Sequence, residues 1–248
     1  MTEKLAAFDL EIAAVLPDDE PDWRQHRPLG ITCAAIATPR GVWTYAATDD
    51  AGAYAERMTP SQCQDIFSDL LMLARGGYKI LTWNGLSFDF DVLAEECKGL
   101  VSRRNAASLA LGEHHIDMMY HFFTANGYPI GLDDAARGAG LAGKPDGMSG
   151  ALAPERWERG EYSRVIEYVQ SDARQTLALY LVTTRKGPAI VEWTSRSGRQ
   201  QSWMADRWLT TKEASQLPYP DTSRMSTPLD RSNFDHWALH ALAEEPAA

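Results

Sequence analysis

KLAAFDLEI, residues 4–12, is the stretch on which the fold turns. Leu5, Ala6, Ala7, Phe8 and Leu10 make it apolar on both alternating faces, as a strand inside a sheet must be. Two acids interrupt it near its end. In a strand, residues i and i+2 point the same way, so Asp9 and Glu11 share one face. Two carboxylates aimed together out of an apolar strand repel each other unless a cation lies between them.

Working outward, ITCAAIAT (31–38) and GVWTYAA (41–47) read as two more strands joined at Pro39, Arg40 and Gly41. Residues 59–77 begin with the cap-like pair Thr59-Pro60, carry apolar residues at helical spacing and end at Gly76-Gly77. YKILTW (78–83) is a short strand. NGLSFDFDVLAEEC (84–97) turns from loop into helix, with Ser87 as its expected cap. HIDMMYHFF (115–123) is a strand running into a helix, and residues 131–151 are a short helix followed by a glycine-rich loop. A long helix starts near Tyr162 and runs through VIEYVQSDARQTL (165–177). The order of strands and helices predicts a mixed sheet with helices packed on it, in the α/β class. Residues 189–205 read as a hairpin turning at Arg196-Ser197-Gly198. The tail from Leu217, with its early prolines and late aromatics Phe234 and Trp237, is expected to wrap the domain as an extended strap.

The chain has 248 residues, of which 44% are hydrophobic and 23% charged, enough for one large α/β domain. No apolar run approaches the roughly 18 residues that cross a bilayer, and Asp9 and Glu11 break any signal-peptide core. Cys33, Cys63 and Cys97 are odd in number and widely spaced, which suits reduced thiols in the cytoplasm. A net charge of −10 argues against a broad basic surface for coating nucleic acid, but not against a small site that grips one strand end.

The long helix raises its own question. Tyr168 and Asp172 are four apart, hence on one helical face, beside the apolar positions Val165, Ile166, Val169, Leu177 and Leu181 that mark its inward side. An acid turned toward a core needs a partner, and Lys, Arg or a metal could serve. Asp89, at the start of the helix after YKILTW, is a fourth acid of interest. Taken singly, each of these acids also fits a solvated surface charge or a helix cap. Asp91 competes with Asp89, but two residues apart on a helix they face different ways. It reads as a first-turn charge favoured by the helix dipole.

Taken together and in this order, FDLE (8–11), NGLSFD (84–89) and YVQSD (168–172) resemble the three exonuclease motifs of the DEDD superfamily, which has the ribonuclease H-like fold. The tyrosine is similar to that of the DEDDy branch, which includes proofreading domains of family B DNA polymerases. The histidine branch does not fit, because Glu167 stands five residues before the last aspartate. HIDMM (115–119), residues 140–151, the hairpin and the tail resemble stand-alone exonucleases related to those domains. The resemblance implies a five-stranded mixed sheet flanked by helices over residues 1–187. Residues 188–248 would add a C-terminal hairpin and tail packed on the same domain.

It further implies that Asp9, Glu11, Asp89 and Asp172 hold two Mg2+ or Mn2+ ions. In that scheme Asp9 bridges them, Glu11 and Asp172 complete the nucleophile's site, and Asp89 serves the second ion. The implied reaction removes nucleoside 5'-monophosphates from the 3' end of single-stranded DNA or RNA. Tyr168 would orient the attacking water, since a phenol with an ordinary pKa of about 10 is a poor base at neutral pH. Asn84 would contact the terminal nucleotide, and Leu10 and Phe88 would pack near its base. Arg103, Arg104 and Lys144 suit either phosphate contacts or a solvated surface. His114 and His115 are adjacent, a poor spacing for one metal, and read as structural or surface residues. Two other readings stay open: a binding module of the same fold with feeble catalysis, and a metal-dependent hydrolase of small nucleotides.

Overall fold

The structure, a computed structural model, describes residues 3–17, 22–143, 147–195 and 197–244. Its centre is a five-stranded sheet in the order β3-β2-β1-β4-β5. These strands are β1 (Leu5–Ile12), β2 (Ile31–Thr38), β3 (Gly41–Ala46), β4 (Lys79–Thr82) and β5 (His115–Asp117). β1, β2 and β3 run antiparallel, whereas β4 and β5 run parallel to β1, so the sheet is mixed as expected. β1 lies in the middle because both its faces can be buried: Leu5, Ala6, Ala7, Phe8 and Leu10 are all at most 3% exposed. Its pairing with β2 slips between Glu11 and Ile12. Such an irregularity at a strand end re-aims side chains.

Helices cover the sheet. α1 (Pro60–Arg75) is nucleated by a capping box in which Thr59 and Gln62 satisfy each other's backbone N–H, with Pro60 opening the helix. Its face of Cys63, Ile66, Phe67, Leu70 and Leu73 is buried, and it packs on β4. α7 (Tyr162–Thr183) lies across β1 and β2 and buries Val165, Val169 and Leu177, whereas Leu181, expected on the same inward side, is exposed. Between them come α2 (Asp89–Glu96), α3 (Arg103–Ala110), α4 (Met118–Asn126), α5 (Leu132–Gly138) and α6 (Ala153–Glu158).

The hairpin of β6 (Ala189–Thr194) and β7 (Gln200–Ala205) forms as expected. Trp193 and Trp203 set their rings against Phe122 of α4, at 5.2 and 5.4 Å between centroids. α5 packs so tightly on β6 that a Cβ at Gly138 would sit 1.7 Å from the Glu192 carbonyl oxygen, so only glycine fits.

Two local expectations need correction. The tail is not an extended strap: after the short α8 (Thr211–Ala214) it ends in α9 (Ser232–Ala243). The prolines govern only the linker before it, whereas Phe234, Trp237, Ala238 and Ala241 recur at helical spacing and bury one face. α9 docks on α3, where Arg104 Nη1 donates to the carbonyls of Leu242 and Glu244 at its C-terminal end. Ser87 does not cap α2. Phe88 occupies the cap position without a side-chain bond, and the Ser87 hydroxyl donates instead to the Asn233 carbonyl at 3.2 Å. Asp91 does lie in the first turn of α2, and it is also fully buried and ion-paired with Arg27 and Arg103.

Candidate active site

At the C-terminal end of β1, the strand alternation turns Asp9 and Glu11 to one side, and α7 lays Asp172 over them. Ligand oxygens of Asp9, Glu11 and Asp172 all fall within 4.8 Å of one another. Glu11 and Asp172 are buried and Asp9 is half-buried. One turn earlier on α7, Tyr168 is buried and its phenol donates a hydrogen bond to the Asp172 carboxylate. Burial raises the phenol's pKa far above 10, and the charges of Asp172, Glu11 and Asp9 add to the shift. Tyr168 therefore stays protonated, a fixed O–H donor beside the acids and no base.

Asp89 approaches from the other side. Its Oδ1 accepts from the Leu10 backbone N–H at 3.0 Å, between Asp9 and Glu11 in the chain. Burial pushes its carboxyl up to about 7, and the charges of Asp117 and Asp172 push the same way against the Leu10 hydrogen bond. Asp89 is not one of the three clustered carboxylates, but it lines the same cavity and feels the charge of Asp172.

That cavity has a volume of about 570 Å³. Asp9, Glu11, Asp89 and Asp172 give it an acidic floor, and Leu10, Trp83, Phe88, Met119 and Leu132 an apolar wall. Asn84 lines it too, with its backbone in the left-handed region at φ 75°. Asparagine tolerates that conformation better than most residues. The edge of the Trp23 ring rests on Phe88, 5.0 Å between centroids, and the Trp83 indole N–H is fixed on the Ile130 carbonyl. From the glycine-rich loop, Gly150 and Ala151 reach the cavity beside Glu11. A Cβ at Gly150 would stand 3.9 Å from Glu11 Oε2.

The donor set fits a hard divalent cation. It consists of carboxylate oxygens, the ligand type such cations prefer. Cations at this spot would relieve both the mutual repulsion of the three acids and the elevated pKa of Asp89.

Asp9, Glu11, Asp89, Tyr168, Asp172, Leu10, Asn84 and Phe88 thus meet in one cavity. Two other candidates do not: Arg103 is turned to Asp91 at 2.7 Å, and Arg104 is spent on the end of α9. Lys144 lies outside the described residues. His115 is structural: fully buried, it bonds Thr82 Oγ1 at 2.7 Å and the Ala110 carbonyl at 2.6 Å. Burial lowers its pKa to about 4, so the ring is neutral. Sequence reasoning assigned no role to Asp117. It is buried at the end of β5, where its carboxylate accepts from Asn84 N, Leu86 N and Tyr120 N. The only signal was its place before an apolar helix, as an N-cap.

Known proteins share this geometry's framework. A family model of the RNase_H superfamily matches residues 41–183, more than half of the chain. The family B DNA polymerase from the hyperthermophilic archaeon Pyrobaculum calidifontis has a similar fold, with a TM-score of 0.54 and 17% sequence identity. The alignment takes in 97% of this chain and 29% of the polymerase, so the chain spans under a third of that protein. No curated protein matches the chain by sequence.

Proposed function

The chain belongs to the RNase_H superfamily, and from that premise we propose that it is a metal-dependent 3'-5' exonuclease of the DEDDy type. It would act on the 3' end of single-stranded DNA or RNA and release nucleoside 5'-monophosphates. The observation that carries the reading is the convergence of Asp9, Glu11 and Asp172 within 4.8 Å, with Tyr168 hydrogen-bonded to Asp172. The polymerase likeness supports the fold that the reading needs.

Asp9, Glu11 and Asp172, with Asp89 opposite, would hold two Mg2+ or Mn2+ ions, whose Lewis acidity would stabilise the attacking and leaving oxygens of an in-line displacement. The chain's own groups do the rest. Tyr168 keeps its proton, which it donates to Asp172, and its phenol oxygen can accept from a water beside that carboxylate, which orients the water rather than deprotonating it. Leu10 and Phe88 present apolar surface to the terminal base, and Asn84 offers a carboxamide to the terminal nucleotide. Asp89 holds the Leu10 backbone, and so the spacing of Asp9 and Glu11.

Residues 188–248 belong, in this reading, to the same unit as the nuclease domain, since their hairpin and terminal helix pack on α4 and α3. Three buried free thiols suit a reducing, cytoplasmic setting. Among the described residues no helix is long and apolar enough to cross a membrane.

The net charge of −10 favours one second reading, a hydrolase of small nucleotides. A uniformly labelled single strand separates the two. Release of 5'-mononucleotides from long strands, with dinucleotides no better as substrates, supports the exonuclease. Nucleosides, 3'-monophosphates or internal fragments would refute it, and a preference for the dinucleotide would select the small-nucleotide enzyme.

A further inference from the structure

The turn 84–88 carries three cavity residues: Asn84, Phe88 and, at its exit, Asp89. It is an awkward piece of backbone. Asn84 is left-handed, and a Cβ at Gly85 would lie 2.5 Å from the Thr82 side chain. Its own bonds, Phe88 N to the Asn84 carbonyl and Phe90 N to the Gly85 carbonyl, close the turn but do not fix where it sits. Two side chains from distant elements do that. Asp117 Oδ2 takes the Leu86 N–H at 2.8 Å, and Trp237 Nε1 donates to the Leu86 carbonyl at 2.7 Å. Leu86 is thus gripped through both its backbone groups, from the end of β5 and from the C-terminal helix.

A second tie follows the first. Ser87 Oγ donates to the Asn233 carbonyl at the start of α9. Trp237 is itself held in place: 8% exposed, its ring lies under the Arg103 guanidinium at 5.5 Å. From Leu86 the constraint passes through α2 to Asp89, whose carboxylate takes the Leu10 N–H between the two strand acids.

We infer that α9 is a working part of the active site, with Trp237 and Asp117 as positioning residues that clamp the Leu86 backbone and so set Asn84, Phe88 and Asp89. The inference rests on the exonuclease reading for what is positioned, but the clamp is a property of the fold. Through it the C-terminal segment fixes the second acid motif, which lies about 150 residues earlier in the chain, as the separation of Leu86 and Trp237 shows.

Trp237→Phe keeps a buried ring and removes the N–H donor. Hydrogen exchange at residues 84–90 and steady-state kinetics on a labelled single strand test it together. The variant should exchange about tenfold faster at the turn, while β1 and β2 keep their protection. Its kcat should fall about tenfold or more with KM within about twofold, as for a misplaced group and not a lost binding contact. Leu239→Ala, on the exposed side of α9, should match wild type in both measurements. Unchanged exchange at the turn overturns the clamp, and faster exchange with wild-type kcat overturns the positioning role. If Trp237→Phe does not fold, Ser87→Ala removes the second tie and is read by the same criteria. A wild-type protein that cleaves nothing would refute the exonuclease reading, and the exchange data alone would then decide the clamp.

Discussion

Removing an acid from the cluster should make the metal-free protein more stable. Asp172→Asn keeps the shape of the side chain and an oxygen that can still accept from Tyr168, but it deletes a charge. Ligand atoms of Asp9 and Glu11 lie within 4.8 Å of that of Asp172. Two unit charges at that distance repel by about 0.9 kcal/mol in water and about 3.5 kcal/mol at an effective dielectric of 20. Two pairs are removed, so the relief falls between roughly 2 and 7 kcal/mol. Because the cavity opens to solvent and Asp9 is half-buried, the lower end applies. For a chain of this size about 2 kcal/mol raises Tm by roughly 4–8 °C. Thermal melts in EDTA at pH 8 read this directly. In saturating Mn2+ the order should reverse, because wild type gains binding energy that the variant has lost. A variant that melts at or below the wild-type temperature in EDTA would show that the acids carry no mutual strain, and the case for a cation site would fail.

The same strain predicts a pH dependence. Asp89 is raised to about 7 and Asp117 to about 6, both chiefly by burial, so each folded carboxyl holds a proton more tightly than the unfolded one. Their stabilisation is complete below about pH 4 and is lost as pH rises through those values. His115 and His121, lowered to about 4 by burial, act in the opposite sense, losing stability as pH falls below 6.5. The two effects nearly cancel in the wild type, so the comparison is with Asp89→Asn, which keeps the histidines' titration and loses that acid's: relative to that variant the wild-type urea midpoint in EDTA should fall from about pH 6.5 to about 8.5, and Mn2+ should flatten the difference; a relative midpoint that rises over this window contradicts the assignment. Tyr168→Phe should leave the melting temperature within a few degrees and lower kcat about tenfold, since only a positioned donor is lost; wild-type kcat would remove Tyr168 from the site. Asp91→Asn should destabilise by about 1–3 kcal/mol in chemical denaturation, because Arg27 and Arg103 lose a shared buried carboxylate. Mn2+ binding should survive that change, unlike in Asp89→Asn, and equal loss of metal affinity in the two would erase the distinction between the acids.

Most of the sheet and the two local pairs of site residues could be read from the chain because they follow from periodicity, whereas the meeting of those pairs was implied by the family resemblance. Alternation put Asp9 and Glu11 on one face, and the four-residue helical step put Tyr168 beside Asp172. What escaped was set by long-range contact. Asp91 looked like a helix-dipole charge because neither Arg27 nor Arg103 adjoins it in sequence. Ser87 has the chemistry of a cap, but Asn233, 146 residues away, takes its hydroxyl. Phe234, Trp237, Ala238 and Ala241 do have helical spacing, yet the preceding prolines outweighed it in the reading of the tail. Arg104 looked free for phosphate because its partners are backbone carbonyls of α9, which no side-chain pattern advertises. Asp117 escaped for the same reason: its partners are backbone N–H groups of a turn 31 to 33 residues earlier.

The central claim is metal-dependent removal of nucleotides from a 3' end. A 5'-labelled single-stranded DNA and the matching RNA, each incubated with Mn2+, Mg2+ or EDTA beside the Asp172→Asn variant, test it most directly. The account predicts a ladder that shortens one nucleotide at a time from the 3' end, needs the divalent ion and vanishes in the folded variant. An intact strand in both metals, or an equal ladder from Asp172→Asn, would contradict it.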